Sequence, residues 1–421
     1  MLQHVISLYR DAFAGLARET WVLVAVALVN RAGTMVLPFL TLYLTRELRF
    51  DKSEAGWVIF AFGIGSVIGT FAGGRLSDRV GAIPVQLVSL IAGGAGFLLL
   101  GLLRTAPALM AGFAALGMLG DAFRPACMTA VAESAAPETR TRALTLLRMA
   151  INLGITVGPL VGGMLALVDY FWLFVVDGST CCLAAALLWV TVGRRYRRQG
   201  AAAAPVTPAP SGPPARKRDW PFLGLLAVLF GLAMVFFQTM GTLPLYYREH
   251  FGLLENRIGM LFGLNALIIV MVEMVLVHRL QQCDHLRMMG WGCLLVCLGF
   301  GLMPWGSSWP YVVFTVLVWT AGEMLALPFA NSLVAARAGT TDVGRYMGAY
   351  TALFAVALVV APATGLWIYA RLGGTVLWSA AGVLGLVLWV GCAFLAPRFR
   401  VHRRPVNPAG LEPGHQVRHA L

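Results

Sequence analysis

Residues 120–163 read GDAFRPACMTAVAESAAPETRTRALTLLRMAINLGITVGPLVGG, and this stretch decides the fold. An apolar helix with charges inside it runs into a short basic loop and then into a glycine-rich apolar helix. The same skeleton returns 203 positions later, where Pro125 maps onto Pro328, Arg142 onto Arg345 and Pro159 onto Pro362. Carried back, the same offset takes Gly56 to Gly259. Matches at one ungapped offset over more than a hundred positions imply an internal duplication.

Working outward, the 421 residues are 59% hydrophobic and only 12% charged, with a mean hydropathy of +0.77. A soluble protein carries about 25% charged residues. Apolar runs of about 20 residues, enough to cross ~30 Å of hydrocarbon, recur almost end to end. The chain is therefore read as an all-α membrane protein of twelve transmembrane helices in two pseudo-symmetric six-helix halves. The first six spans are expected at 20–44, 54–75, 82–103, 107–133, 143–168 and 171–193. The second six are expected at 221–248, 256–278, 287–305, 309–335, 345–370 and 373–396. Several connections are only a few residues long, which forces antiparallel neighbours.

Residues 1–19 form an amphipathic segment with Asp11 and Glu19 ahead of the first long apolar run. It lacks the basic head and small-residue cleavage site of a signal peptide and reads as a surface helix. The halves, 20–193 and 221–396, are joined by a linker at 194–220 that is rich in Ala, Pro and Arg and empty of core-forming residues. That composition reads as a solvated linker, and 397–421 as a tail. Six spans, linker, six spans is the layout of a transporter made of parallel repeats, because inverted repeats need an odd number of spans in each half.

The formal net charge of +13 is not spread evenly. Most of the 32 Lys and Arg residues fall in loops on one side, the positive-inside pattern. Both termini are thus expected in the cytoplasm and the protein in the cytoplasmic (inner) membrane. No nucleic acid is expected as a partner, since aromatic interleaving or a fold to present such a surface is missing. None of the seven cysteines makes a metal-ligand spacing with His, so no metal is expected. The chain has no phosphate-cradling loop, nucleophile elbow or dinucleotide fingerprint, which argues against an enzyme, a cofactor and nucleotide-driven transport.

Charges inside spans cost about 2.5 kcal/mol or more each at the bilayer centre, so they point to function. Arg31 lies mid-depth in span 1, Asp121 and Arg124 in span 4, and Glu323 in span 10; Glu273 lies toward the cytoplasmic third of span 8. Asp177 is placed near the outer end of span 6 as an interfacial polar residue, and Glu133 at the inner end of span 4. Asp121 and Arg124 are three apart and share a helix face, as a self-neutralising structural pair or as part of the coupling machinery. Arg31 and Glu323 have no opposite charge within a helical turn and must find partners across helices or in substrate.

A carboxyl group in a cavity that alternates between wet and dry can load and release a proton. Glu323 is the first candidate proton carrier and Glu273 the second, with Asp121 and Arg124 completing the set. The alternative for Glu323 is a salt bridge that holds the halves together in one state. Asn30, Arg31, Asn152, Gln238, Asn265, Trp319, Asn331 and Tyr350 are candidates for lining an amphipathic substrate cavity. Any one of them alone reads equally as helix–helix glue.

Two motifs add a resemblance. Gly74, Asp78, Arg79 and Gly81, in the loop after span 2, match the G-x-x-x-D-R-x-G pattern and resemble the loop motif of the major facilitator superfamily. The resemblance implies a cytoplasmic gate, with Glu133 at the place of a span-4 acid that pairs with the motif's arginine. Where the family usually carries another basic residue, this chain has Ala82. Gly154, Gly158, Pro159, Gly162 and Gly163 match G-x-x-x-G-P-x-x-G-G and resemble the fifth-span motif of the drug:proton antiporter branch. Gly154, Gly158 and Gly162 form one flat helix face for close packing, and Pro159 loosens the helix. Arg124 sits where those antiporters carry a span-4 arginine, although Pro125 follows it here and the usual downstream Gln-Gly is absent.

The resemblance implies the major facilitator fold and alternating access around a mid-membrane site, in a monomer within the lipid bilayer. It also implies proton-driven export of amphipathic small-molecule substrates. Two other readings stay open. One is a proton-coupled importer of peptides, sugars or other nutrients. The other is a non-transporting sensor, which would need an ordered extramembrane domain.

Overall fold

The computed structural model describes residues 15–136, 139–193, 219–280, 282–338 and 343–399. Most of the expected N-terminal segment, nearly all of the linker and most of the C-terminal tail lie outside them. Eleven helices are long and apolar enough to cross a membrane. The last, Val343–Phe399, holds two crossings, because Gly373 breaks it at φ 84°. Twelve membrane-length segments result, with no strand among the described residues.

The duplication is visible in the helix starts. Spans 2, 3, 4 and 5 begin at Lys52, Ala82, Ala106 and Arg140. Spans 8, 9, 10 and 11 begin at Glu255, His285, Trp309 and Val343, each 203 positions later. Local chemistry fixes several of these ends. Asp51 accepts from the Ser53 amide at 3.1 Å while Glu54 accepts from the Asp51 amide at 3.0 Å, a reciprocal cap on span 2. Asp284 caps span 9 by accepting from the Leu286 and Arg287 amides. Gly81 turns span 2 into span 3 at φ 94°, a left-handed conformation that a β-carbon disfavours. This accounts for the last glycine of the loop motif.

Three spans expected to be continuous are interrupted. Span 1 runs Arg18–Ala32, stops at Gly33 and Thr34, and resumes as Val36–Leu42 and a π turn at Tyr43–Glu47. Span 4 is divided between Ala106–Gly120 and Phe123–Ser134. Span 7 passes from Trp220–Phe236 through a 3-10 turn, Phe237–Met240, into Thr242–His250. Apolarity predicts that a segment crosses the membrane and is silent on whether its hydrogen-bond ladder is whole. Breaks at this depth require protein groups to take up the freed backbone polar atoms.

The two sets of six helices meet at crossings related by the repeat. Span 2 lies on span 11 at Gly56, where an added methyl would stand 3.4 Å from the Ala363 Cα. Span 8 lies on span 5 at Gly259, the position related to Gly56, where a methyl would meet the Pro159 carbonyl and stand 3.2 Å from the Gly163 Cα. Side-chain contacts reinforce the same side. Lys52 Nζ pairs with Glu249 Oε2 at 2.8 Å, and the Tyr369 hydroxyl donates to that oxygen at 2.6 Å. The Tyr170 hydroxyl donates to Glu255 Oε1 at 2.7 Å, with Arg248 3.8 Å from the other carboxylate oxygen. The partly exposed Lys52–Glu249 pair contributes about 0–1 kcal/mol, whereas Glu255 is buried with its Tyr170 hydrogen bond, so backbone packing and this buried contact do most of the closing.

On the opposite side, where the first and last helices have their free ends, Arg148 and Glu273 make a salt bridge between the halves at 3.4 Å. Arg148 is 65% exposed there. The space between the halves is closed on the far side and open on the side of the termini.

That termini side has its own anchor. Asp219 accepts from Arg337 Nη2 at 2.8 Å and Nε at 2.9 Å, from the Tyr346 hydroxyl at 2.9 Å, and from the Phe222 amide at 3.2 Å. It ties spans 7, 10 and 11 together just outside the apolar run. The Arg337 hydrogen bond, followed by that of Tyr346, holds the Asp219 carboxyl below the usual carboxylate range. Its stabilising effect is complete above the ordinary carboxylate pKa of about 3.9 and is lost as pH falls through the lower folded-state value. In detergent unfolding scans from pH 7 to pH 3, Asp219→Asn is expected to melt lower than wild type at pH 7 and to converge with it at acid pH. Parallel curves would show that the cluster is not ionic.

Candidate functional site

The site begins at the break in span 1. With Gly33 and Thr34 out of the ladder, the Met35 and Val36 amides are turned toward span 6. There Asp177, 2% exposed, accepts from Val36 at 2.9 Å and from Met35 at 3.2 Å. Asp177 is thus deep in the bundle, sealing a helix break, and not an interfacial residue as its sequence position suggested. The sequence showed the charge and misjudged its depth. Thr180, one turn on, fills the place a β-carbon at Gly33 would need.

Span 5 holds the same break from the other face. A methyl at Gly154 would stand 2.6 Å from the Arg31 Cβ, one at Gly158 2.6 Å from the Thr34 carbonyl, and one at Gly162 3.0 Å from the Met35 Cβ. Gly163 faces the other way, onto the backbone of Glu255 at the head of span 8. The glycine face of this motif therefore fits around the interrupted segment that presents Arg31. Pro159 lines the cavity beside it.

The cavity between the halves has a volume of about 480 Å³. Arg31, Asn152, Asn265 and Trp319, four of the expected lining residues, are on its wall together with Asp121, Arg124, Glu273 and Glu323. Trp319 is 2% exposed and stacks on Phe300 with ring centroids 5.6 Å apart. Asn30 lies in a smaller chamber of about 60 Å³ behind Arg31, shared with Asp121 and Asp177, and donates to the Cys181 sulfur at 3.3 Å.

Three expected lining residues stand elsewhere. Gln238 seals the break in span 7, donating to the Ala361 carbonyl at 2.8 Å and accepting from Thr242 at 2.7 Å. The Asn331 amide donates to the Leu327 carbonyl of its own helix at 3.1 Å. Tyr350 packs on Phe354 with ring centroids 4.8 Å apart. Polarity inside a span marks a need for a partner, and here helix backbone or a neighbouring ring supplies it.

The coupling candidates divide in the same way. Asp121 accepts a hydrogen bond from the Ser66 hydroxyl, and no salt bridge joins it to Arg124 among the described residues. Asp121 and Ala122 keep right-handed helical dihedrals in a tight turn after Gly120, and the Asp121 carboxylate is engaged by Ser66 of span 2 instead. Glu323, on the unbroken span 10, accepts from Asn265 Nδ2 at 3.0 Å; the same amide donates to Thr320 at 3.0 Å. No cation pairs with Glu323 among the described residues. Glu273 is the acid of the Arg148 pair. Ser66, Arg148 and Thr320 went unnoticed in the sequence. Arg148 alone had a signal, a charge inside an apolar run; hydroxyls are too common in spans to stand out.

The gate residues lie apart from the cavity, at the open side. Asp78, Arg79 and Glu133 are exposed, Gly74 faces Pro125 with room for a methyl at 3.9 Å, and Gly81 makes its turn. Among the described residues no salt bridge joins Arg79 to Glu133.

Comparisons with known proteins agree with this architecture. A family model described as Major Facilitator Superfamily matches residues 22–283. A Na(+), Li(+), K(+)/H(+) antiporter of Planococcus maritimus is 24% identical over 369 residues, covering 79% of this chain and 85% of the relative. Multidrug resistance protein MdtH of Escherichia coli (strain SE11) is 24% identical over 350 residues, covering 80% of this chain and 84% of the relative. The crystal structure of peptide transporter POT in complex with sulfate superposes with a TM-score of 0.77 at 18% identity, over 92% of this chain and 96% of that one.

The seal on span 1 is testable. Two buried amides left without an acceptor cost about 1–3 kcal/mol each. Asp177→Ala is therefore expected to lower the unfolding midpoint in detergent sharply. Asp177→Asn, whose amide oxygen still accepts, should lose much less. Equal stability of the alanine variant and wild type would mean that the break holds without this acceptor.

Proposed function

The chain belongs to the Major Facilitator Superfamily and is a multi-span membrane transporter, and we propose that it exports amphipathic small molecules from the cytoplasm in exchange for protons. The observation that carries this reading is the environment of Glu323. A carboxyl group inside a cavity between two helical halves is held by a neutral amide and not by a cation. An ion pair would favour the charged form alone, whereas the Asn265 amide leaves both forms accessible. With the space open on the side of the termini, the far-side layer parts and the open side closes in the opposite state. The loop after span 2 and Glu133 then form the gate.

In this reading the termini face the cytoplasm, and the inward proton gradient across the cytoplasmic membrane is the energy source. No cofactor takes part and one copy of the chain is the working unit. A substrate leaving outward frees Glu323 to take a proton, and the proton's release inward frees the cavity for the next molecule. The names of two relatives, an antiporter and a multidrug resistance protein, support exchange and export. The match of Gly154, Gly158, Pro159, Gly162 and Gly163 to the antiporter motif supports the same direction.

The test uses purified protein in liposomes under an imposed proton gradient, with fluorescent lipophilic amines and zwitterionic dyes as cargo. Gradient-driven movement is expected for wild type. Glu323→Gln should fall to the level of protein-free liposomes while still exchanging cargo down its own gradient. Intact proton-driven transport in Glu323→Gln would remove Glu323 from the carrier role. Accumulation of cargo in the compartment that receives protons would make the protein an importer.

A further inference from the structure

We infer that the cavity is built for a zwitterion, an amphipathic molecule with an anionic group at one end of a hydrophobic body and a cationic group at the other. The inference rests on the transport reading above but is independent of the driving ion and of direction. Six charged side chains line the cavity: Arg31, Asp121, Arg124, Arg148, Glu273 and Glu323. They are segregated. All three guanidinium groups project from spans 1, 4 and 5, and both glutamates project from spans 8 and 10.

Internal pairing reduces this set to a dipole. Arg148 and Glu273 satisfy one another across the gap at 3.4 Å. Asp121, held by Ser66, stands on the same wall as Arg31 and Arg124 and offsets one of their charges. What remains is one net positive charge on the wall of the first six spans and one negative charge, Glu323, on the facing wall. Among the described residues no salt bridge connects the two. Phe62, Phe236 and Phe262 add apolar surface to the same cavity.

A charge that loses its water without gaining a partner is costly, so a ligand that displaces that water must supply the counter-charge. A lipophilic cation satisfies Glu323 but adds a like charge opposite unneutralised guanidinium. A lipophilic anion has the converse fault. A neutral amphiphile strips water from both ends and replaces it at neither. A zwitterion meets both walls and leaves the cavity neutral. The volume of about 480 Å³ suits a body of drug-like size.

Three compounds on one biphenyl body separate these cases: 4′-(aminomethyl)biphenyl-4-carboxylate, 4-(aminomethyl)biphenyl and biphenyl-4-carboxylate. Their affinities are measured by calorimetry on the purified full chain at pH 7.5, with no gradient. The zwitterion is expected to bind at least tenfold more tightly than either singly charged compound. Arg31→Gln and Arg124→Gln should each lower zwitterion affinity toward that of the amine without weakening the amine. Arg31→Lys should keep the preference. Because each variant is read as a ratio between compounds, loss of folded protein does not imitate the result.

Equal binding of amine and zwitterion to wild type, or arginine variants that weaken both alike, overturns the inference. If the amine binds as well and a proton gradient drives it, the zwitterion assignment fails while proton coupling stands. If the zwitterion preference holds and no gradient moves the compound, the coupling fails and this inference stands.

Discussion

Met35 and Val36 turn two backbone amides away from the helix ladder in the middle of a membrane span, and Asp177 accepts both. In hydrocarbon such groups have no water to fall back on, so a break in a span exists only where another helix completes it. Once that requirement is met, Arg31 is carried at the end of a short helix and faces the cavity, and Gly154, Gly158 and Gly162 close over the remaining side. Span 7 solves the same problem differently. Gln238 donates to the Ala361 carbonyl of span 11 and accepts from Thr242 on the other side of its own break. Two of the walls of the cavity are thus interrupted helices whose irregular backbone is sealed from behind.

Symmetry and its failure share the remaining work. The matches kept at the 203 offset include Gly56 with Gly259 and Pro159 with Pro362, and these residues sit at the two crossings that close the far side. Selection for close backbone approach keeps a glycine a glycine in both copies. At mid-membrane the copies diverge, with Gly120 beside a broken span 4 and Glu323 on an intact span 10. The scaffold repeats where packing governs, and it differs where charge is placed.

Much of this was legible in the sequence, because apolar length and glycine spacing report directly on crossing and packing. The twelve segments, the repeat offset and the glycine face of span 5 were all readable as patterns. The breaks in spans 1, 4 and 7 were not, since a broken span and a whole one have the same hydropathy. The partners of buried polar groups were illegible for a related reason. Whether Gln238 faces a cavity or a neighbouring carbonyl depends on helix rotation, which periodicity leaves open when a helix is apolar all round. Asp121 and Arg124 show the limit of local spacing: three residues apart and lining one cavity, they make no salt bridge among the described residues, and Asp121 accepts from Ser66 of span 2.

The pairing of Lys52 with Glu249 has a consequence for which surfaces can face each other. Carried by the repeat, Lys52 corresponds to Glu255 and Glu249 to Arg46, so the closing layer has taken opposite signs in the two copies. Two copies of the present first half would set Lys52 against Arg46, and two copies of the present second half would set Glu255 against Glu249. The present charges favour only the mixed arrangement. At these positions each half meets opposite charge in the other half and like charge in a copy of itself.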